Sequence, residues 1–153
     1  MSLEPTSAIF RQLHRVLQQT YFLHALTSKE LDKLMGALRA IRVFKGYEII
    51  RQGDPGDAFY LIATGVVSVW VDKKGKRIKV AELGPDKYFG EMALITNEPR
   101  TATVVAERLT ELFVLEKYNF DLMLMKNPTI SQKIKEAYVQ RGEATYRAAK
   151  MAE

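Results

Sequence analysis

Cysteine is absent from this 153-residue chain, which removes disulfides, thiolate metal sites and cysteine nucleophiles together. Histidine is nearly absent: His14 and His24 stand ten residues apart near the N-terminus, a spacing that does not make them neighbours on a shared metal. The β-rich middle of the chain has no histidine, so a histidine-based metal centre lacks ligands there. No apolar run approaches the ~20 residues of a membrane-spanning helix. The opening MSLEPTSA lacks the basic and apolar regions of a signal peptide. A soluble chain is expected, and the missing cysteine is compatible with a cytosolic setting. Walker-type loops and a nucleophile with a supporting base are also missing, so neither catalysis nor a cofactor is expected.

Hydrophobic residues make up 47% of the chain and charged residues 27%, the mixture of a folded globular domain. The 23 basic and 18 acidic residues leave a net charge of +5, spread along the chain rather than gathered, which reads as a solvated surface and not a nucleic-acid face. From Ala8 to about Leu26, apolar residues such as Leu13, Val16, Leu17 and Phe22 recur at helical spacing. Thr27-Ser28-Lys29-Glu30 reads as a capping box opening a second helix, with Leu31, Leu34, Met35 and Leu38 on one face. After Ile41 the texture turns to short alternating runs, including Tyr60–Ala63 and Val67–Val71, parted by glycine and proline clusters every ten residues or so. Asp72 to Lys76 has the look of a hairpin tip.

A further β-rich stretch runs from Thr101 to Leu115, and helical texture returns from Tyr118. Pro128 predicts a break between a short helix at Asn119–Lys126 and a long one from Thr129 to about Met151. The fold class expected is α+β, mainly β. It is an antiparallel, jelly-roll-like β-roll with N-terminal helices, a short helix within residues 89–104 and two C-terminal helices. Residues 1–26 are expected to form a helical linker and 27–153 the domain proper.

The chemistry concentrates in Phe89–Val104. Gly90 allows close backbone approach, a helical turn from about Glu91 offers unpaired amides to a negative group, and Arg100 supplies a forked cation suited to phosphate. A carboxylate beside a phosphate site needs a job of its own, which a hydrogen bond from a ribose hydroxyl provides for Glu91.

Phe89-Gly90-Glu91-Met92-Ala93-Leu94, followed by Pro99-Arg100-Thr101-Ala102-Thr103-Val104, resembles the phosphate-binding cassette of cyclic-nucleotide-binding domains. The likeness is to cyclic-nucleotide-regulated kinases and to bacterial cyclic-nucleotide-gated potassium channels. Gly53–Tyr60 and Gly65–Val69 are similar to the family's first half, and the resemblance covers about four fifths of the chain. It implies that Arg100 pairs with the cyclic phosphate, Glu91 takes the ribose 2′-hydroxyl, and Gly90 and Ala93 present amides, with Phe89, Met92 and Ala102 beside them. By the same resemblance Thr101 makes cyclic GMP a ligand alongside cyclic AMP, and Val69 and Val80 pack on ribose and base. The final helix would act as a lid through Ile134, Tyr138, Val139 and Arg141.

The implied role is a non-catalytic sensor, the cytoplasmic part of a prokaryotic ion channel that is tetrameric in its membrane-bound parent. The alternatives are a regulatory module of a cyclic-nucleotide-dependent kinase, or the sensor of a catabolite-activator-type regulator without its DNA-binding part.

Overall fold

The computed structural model describes residues 8–19, 23–90, 94 and 98–137. Helices α1 (Ala8–Gln19) and α2 (Ser28–Met35) come first. The strands follow as β1 (Arg39–Val43), β2 (Glu48–Ile50), β3 (Ala58–Thr64), β4 (Val67–Lys73), β5 (Lys76–Leu83), β6 (Tyr88–Phe89), β7 (Thr103–Ala106) and β8 (Thr110–Glu116). Helices α3 (Lys117–Lys126) and α4 (128–137) end the described chain. The strands form two four-stranded sheets, ordered β1-β8-β3-β6 and β2-β7-β4-β5, and every pairing is antiparallel. This is the expected mainly-β roll with helices at both ends.

Residues alternate along a strand between its two faces. In β3 and β8 both faces are covered, which is why their sequences read as nearly unbroken apolar runs. Phe59, Leu61, Phe113 and Leu115 point to the helices, where they meet Leu13, Leu17, Leu31, Leu34, Phe120 and Ile130. Ile62 and Leu112 point the other way, into the space between the sheets, with Val43, Ile50, Val67, Phe89 and Val104. Strand β5, at a sheet edge, is largely exposed and correspondingly rich in lysine.

The capping box forms as expected: Glu30 N–H donates to Thr27 Oγ1 at 3.2 Å, and Thr27 N–H donates to Glu30 Oε1 at 2.9 Å. Pro128 occupies the first position of α4, where its missing N–H costs nothing. The hairpin tip is Lys74-Gly75, both with positive φ, between the paired Lys73 and Lys76.

Three boundaries differ from expectation. The first helix is described only to Gln19, and Leu23 to Leu26 form a turn, with Leu26 N–H donating to the Leu23 carbonyl at 3.0 Å. Helix α3 begins at Lys117, two residues before Asn119. Strand β7 begins at Thr103, because Thr101 and Ala102 lie in a bend leading into it. The part of the predicted last helix beyond residue 137 lies outside the described residues.

Candidate functional site

Arg100 is placed by main-chain atoms. Its N–H donates to the Asp54 carbonyl and its own carbonyl accepts from Gly53 N–H, each at 2.8 Å, while Pro55 and Pro99 form a β-bridge beside them. The loop of residues 53–57 thereby holds the arginine backbone in register with the start of β3. The side chain turns inward and is only 9% exposed. Its Nη2 donates to the Ala58 carbonyl at 2.8 Å and its Nη1 to the Gly90 carbonyl at 3.3 Å. The Asp57 carboxylate stands 3.8 Å from Nη2 but is itself 86% exposed, so solvent weakens that attraction. A guanidinium carries five N–H donors, so anchoring on carbonyls and gripping an anion are compatible.

Gly90 is required twice over. Its φ of +79° lies in the left-handed region, and an added Cβ would come within 2.8 Å of Arg100 Nη1 and 3.0 Å of the Ala58 oxygen. The glycine thus lets the guanidinium lie against bare backbone.

In front of Arg100 opens a cavity of about 390 Å³ between the sheets, within the range usual for small-molecule sites. Ile50, Val69, Leu83, Phe89 and Val104 make its apolar wall. Arg100, Thr101 and Ala102 form another side, with Gly90 and Glu98. The arrangement offers a cation at one end and an aliphatic surface at the other, suited to a ligand with an anionic group and a flat or apolar body. On its far side Arg100 also lines a second chamber, shared with Tyr60. Burial pushes the Tyr60 phenol above its ordinary range and the Asp57 carboxylate adds to the shift, so the phenol stays protonated at neutral pH.

Of the residues singled out in the sequence, Phe89, Gly90, Arg100, Thr101, Ala102 and Val69 all line this cavity. Val80 does not. The β4–β5 ladder slips between Val69 and Trp70, which pair with Ala81 and Lys79, and Val80 is the extra residue, 56% exposed. Ile134 is also displaced from its expected place as a lid. It is 1% exposed inside the helical core, because the apolar stripe of α4 packs inward. Glu91, Met92, Ala93, Tyr138, Val139 and Arg141 lie outside the described residues.

Sequence reasoning missed Ile50, Leu83 and the Ala58 carbonyl. The alternation of β2 hints at Ile50, whereas a backbone carbonyl has no residue signature. Among the described residues, no group of histidine and carboxylate side chains is placed to hold a metal ion. Also among them, no helix is long and apolar enough to cross a membrane.

Comparison with known proteins falls on the same segments. The sequence model of the family described as "Cyclic nucleotide-binding domain" matches residues 41–127. A cAMP-dependent protein kinase regulatory subunit of Mucor circinelloides is 36% identical over 122 residues, 80% of this chain and 29% of its own length. A cyclic nucleotide-gated potassium channel of Mesorhizobium japonicum is 37% identical over 111 residues, 72% of this chain and 30% of its own. The chain therefore spans less than a third of either relative. Among solved structures, the N-terminal domain of a transcriptional regulator from Streptomyces coelicolor superposes with a TM-score of 0.77 at 26% identity, covering 88% of this chain and 94% of that one. The regulatory domain of Toxoplasma gondii protein kinase A, crystallised with cAMP, gives 0.68 at 30%, covering 74% and 43%.

The chain belongs to the cyclic nucleotide-binding domain family, and its relatives include kinase regulatory subunits and a gated channel.

Proposed function

We propose that this domain senses cAMP or cGMP in the cavity before Arg100 and passes occupancy to an attached effector through its helices. The observation that carries the reading is the inward, main-chain-anchored guanidinium at the end of a cavity with an apolar wall. In this reading Arg100 pairs with the cyclic phosphate in a charge-assisted fork. Glu91 accepts the ribose 2′-hydroxyl, with Gly90 and Ala93 offering amides and Phe89 and Met92 completing the turn. Thr101 and Ala102, at the cavity side, meet the base, with Thr101 allowing cGMP, and Val69 packs on the sugar. Val80 reaches the ligand only if the β5 bulge turns inward, and Arg141 covers the base from the final helix.

Transmission has a physical basis in two polar ties between α2 and the C-terminal helices. Lys133 Nζ donates to Glu30 Oε1 at 2.7 Å, and Lys33 Nζ donates to Asn127 Oδ1 at 2.9 Å, at the break before α4. A movement of α4 over the cavity is thus felt by the N-terminal helices, including the linker expected at residues 1–26. Such coupling requires the nucleotide to bind one arrangement better than the other.

The effector we favour is a prokaryotic ion channel, with this chain on the cytoplasmic face of a tetrameric parent that crosses the membrane elsewhere. The gated channel relative at 37% identity supports this. The kinase-subunit match at 36% over a longer span supports the second reading, a kinase regulatory module.

Calorimetric titration with cAMP, cGMP and plain AMP tests the ligand class. Both cyclic nucleotides are expected to bind and AMP to bind far more weakly. Equal affinity for all three sinks the cyclic-phosphate assignment.

A further inference from the structure

Away from the nucleotide cavity, the two sheets part along one side, where β1 and β2 are the outermost strands of their sheets. A groove of about 730 Å³ runs there, and its wall includes Ile41, Arg42, Val43, Phe44 and Lys45, the end of β1 and the turn beyond it. Among the described residues strand β1 pairs only with β8, so within them its other edge has no strand partner and faces this groove. Ile49, the extra residue of a bulge in β2, forms the apolar floor with Ile41 and Tyr60.

The rim combines the basic side chains that commonly blunt a sheet edge with large exposed aromatics. Phe44 is 71% exposed and Tyr47 58%. The lining also holds Arg39, Arg42 and Lys45 and no carboxylate. Arg39 is engaged by Glu116 at 2.6 Å, whereas Arg42 and Lys45 make no ion pair with any described residue.

We infer that this groove docks an extended, acidic peptide segment of a partner protein, which adds a strand to the open edge of β1. Side chains of an added strand alternate between faces. Apolar ones enter the groove over Ile41 and Ile49, and acidic ones lie beside Arg42 and Lys45, the pairing that opposite charges favour across strands. A second copy of this chain fits poorly, because pairing two such edges sets like charges against each other. A bilayer fits poorly as well, since it is flat where the groove is concave and offers nothing to satisfy the edge amides. The inference stands whether or not a nucleotide occupies the other cavity.

The test uses the ¹⁵N-labelled chain titrated with two blocked peptides, Glu-Val-Glu-Val-Glu and its lysine counterpart Lys-Val-Lys-Val-Lys. The acidic peptide is expected to bind saturably, to shift amides of residues 39–49, and to bind at least tenfold more tightly than the lysine peptide at low salt. The exposed-site variants Phe44→Ser and Arg42→Glu/Lys45→Glu are expected to weaken it tenfold or more, and the charge reversal to favour the lysine peptide instead. The inference is overturned if shifts centre on the lysines of the 73–79 hairpin, which marks diffuse charge attraction. Equal binding of the two peptides, or no saturable binding, overturns it too. So does self-association abolished by Phe44→Ser, or capture by phosphatidylserine vesicles through Phe44 while the peptides leave residues 39–49 unmoved.

Discussion

One sheet, β1-β8-β3-β6, faces two very different interiors. Toward the helices it meets a sealed apolar core, in which Phe59, Leu115 and Phe120 are fully buried. Toward the second sheet it meets a smaller apolar cluster interrupted by the Arg100 cavity. The first interior has filled its volume with side chains and the second has left room beside a cation. The contrast indicates that stability and recognition are divided between opposite faces of the same strands, so each can be perturbed with limited effect on the other.

Four substitutions sharpen or break that division, taken from the largest effect to the smallest. Phe120→Ala in the helical core is expected to cost about 3–5 kcal/mol of unfolding free energy in a denaturant titration. The remaining folded protein should bind nucleotide nearly as before. An equally large loss of affinity would show that the two interiors act as one.

Arg100→Ala is expected to do the reverse, weakening nucleotide binding by at least about 2 kcal/mol, roughly thirtyfold, through loss of a charge-assisted fork. Wild-type affinity by calorimetry in this variant removes the main site assignment. Gly90→Ala lies between the two, because a side chain at φ of +79° costs about 1–2 kcal/mol and the added methyl displaces the guanidinium. Both stability and affinity should fall; a crystal structure with Arg100 unmoved would separate strain from displacement.

The smallest effect belongs to Glu30. The hydrogen bond from Lys133 and the Thr27 amide hold its carboxyl below the usual carboxylate range. Because the folded value is depressed, the contribution is fully present above the unfolded pKa of about 4.3 and is lost as pH falls through the folded value. Glu30→Gln is therefore expected to cost under about 1 kcal/mol at pH 7. It should flatten the stability profile below about pH 4.5. A variant with an unchanged acid limb means the tie between α2 and α4 contributes nothing.

What could be read from the residues follows from how local each signal is. The capping box at Thr27 and the helix start at Pro128 depend on a few adjacent residues, and both stand where expected. The antiparallel roll is legible because glycine and proline breakers punctuate short apolar runs. The end of the first helix was hidden, since Leu23 and Leu26 continue its spacing yet are buried in a turn by tertiary packing. Val80 was misplaced because a bulge changes which residues face each other, and no residue type announces one. The place of Ile134 in the helical core was hidden for a related reason: an apolar stripe shows that a helix face is buried, but not against what. In the site, Arg100 and Gly90 were legible through side-chain chemistry and conformational freedom. Ala58 was not, since its contribution is a carbonyl that any residue carries.

The arginine backbone is tied to residues 53–55 by main-chain atoms alone. That stretch can therefore vary in sequence, except at Gly53 with its φ of +91°, but not in length. Inserting or deleting one residue between Gly53 and Ala58 shifts the ties at Asp54 and Pro55 against the Ala58 acceptor, and leaves the guanidinium aimed at the wrong depth without altering a single atom of Arg100.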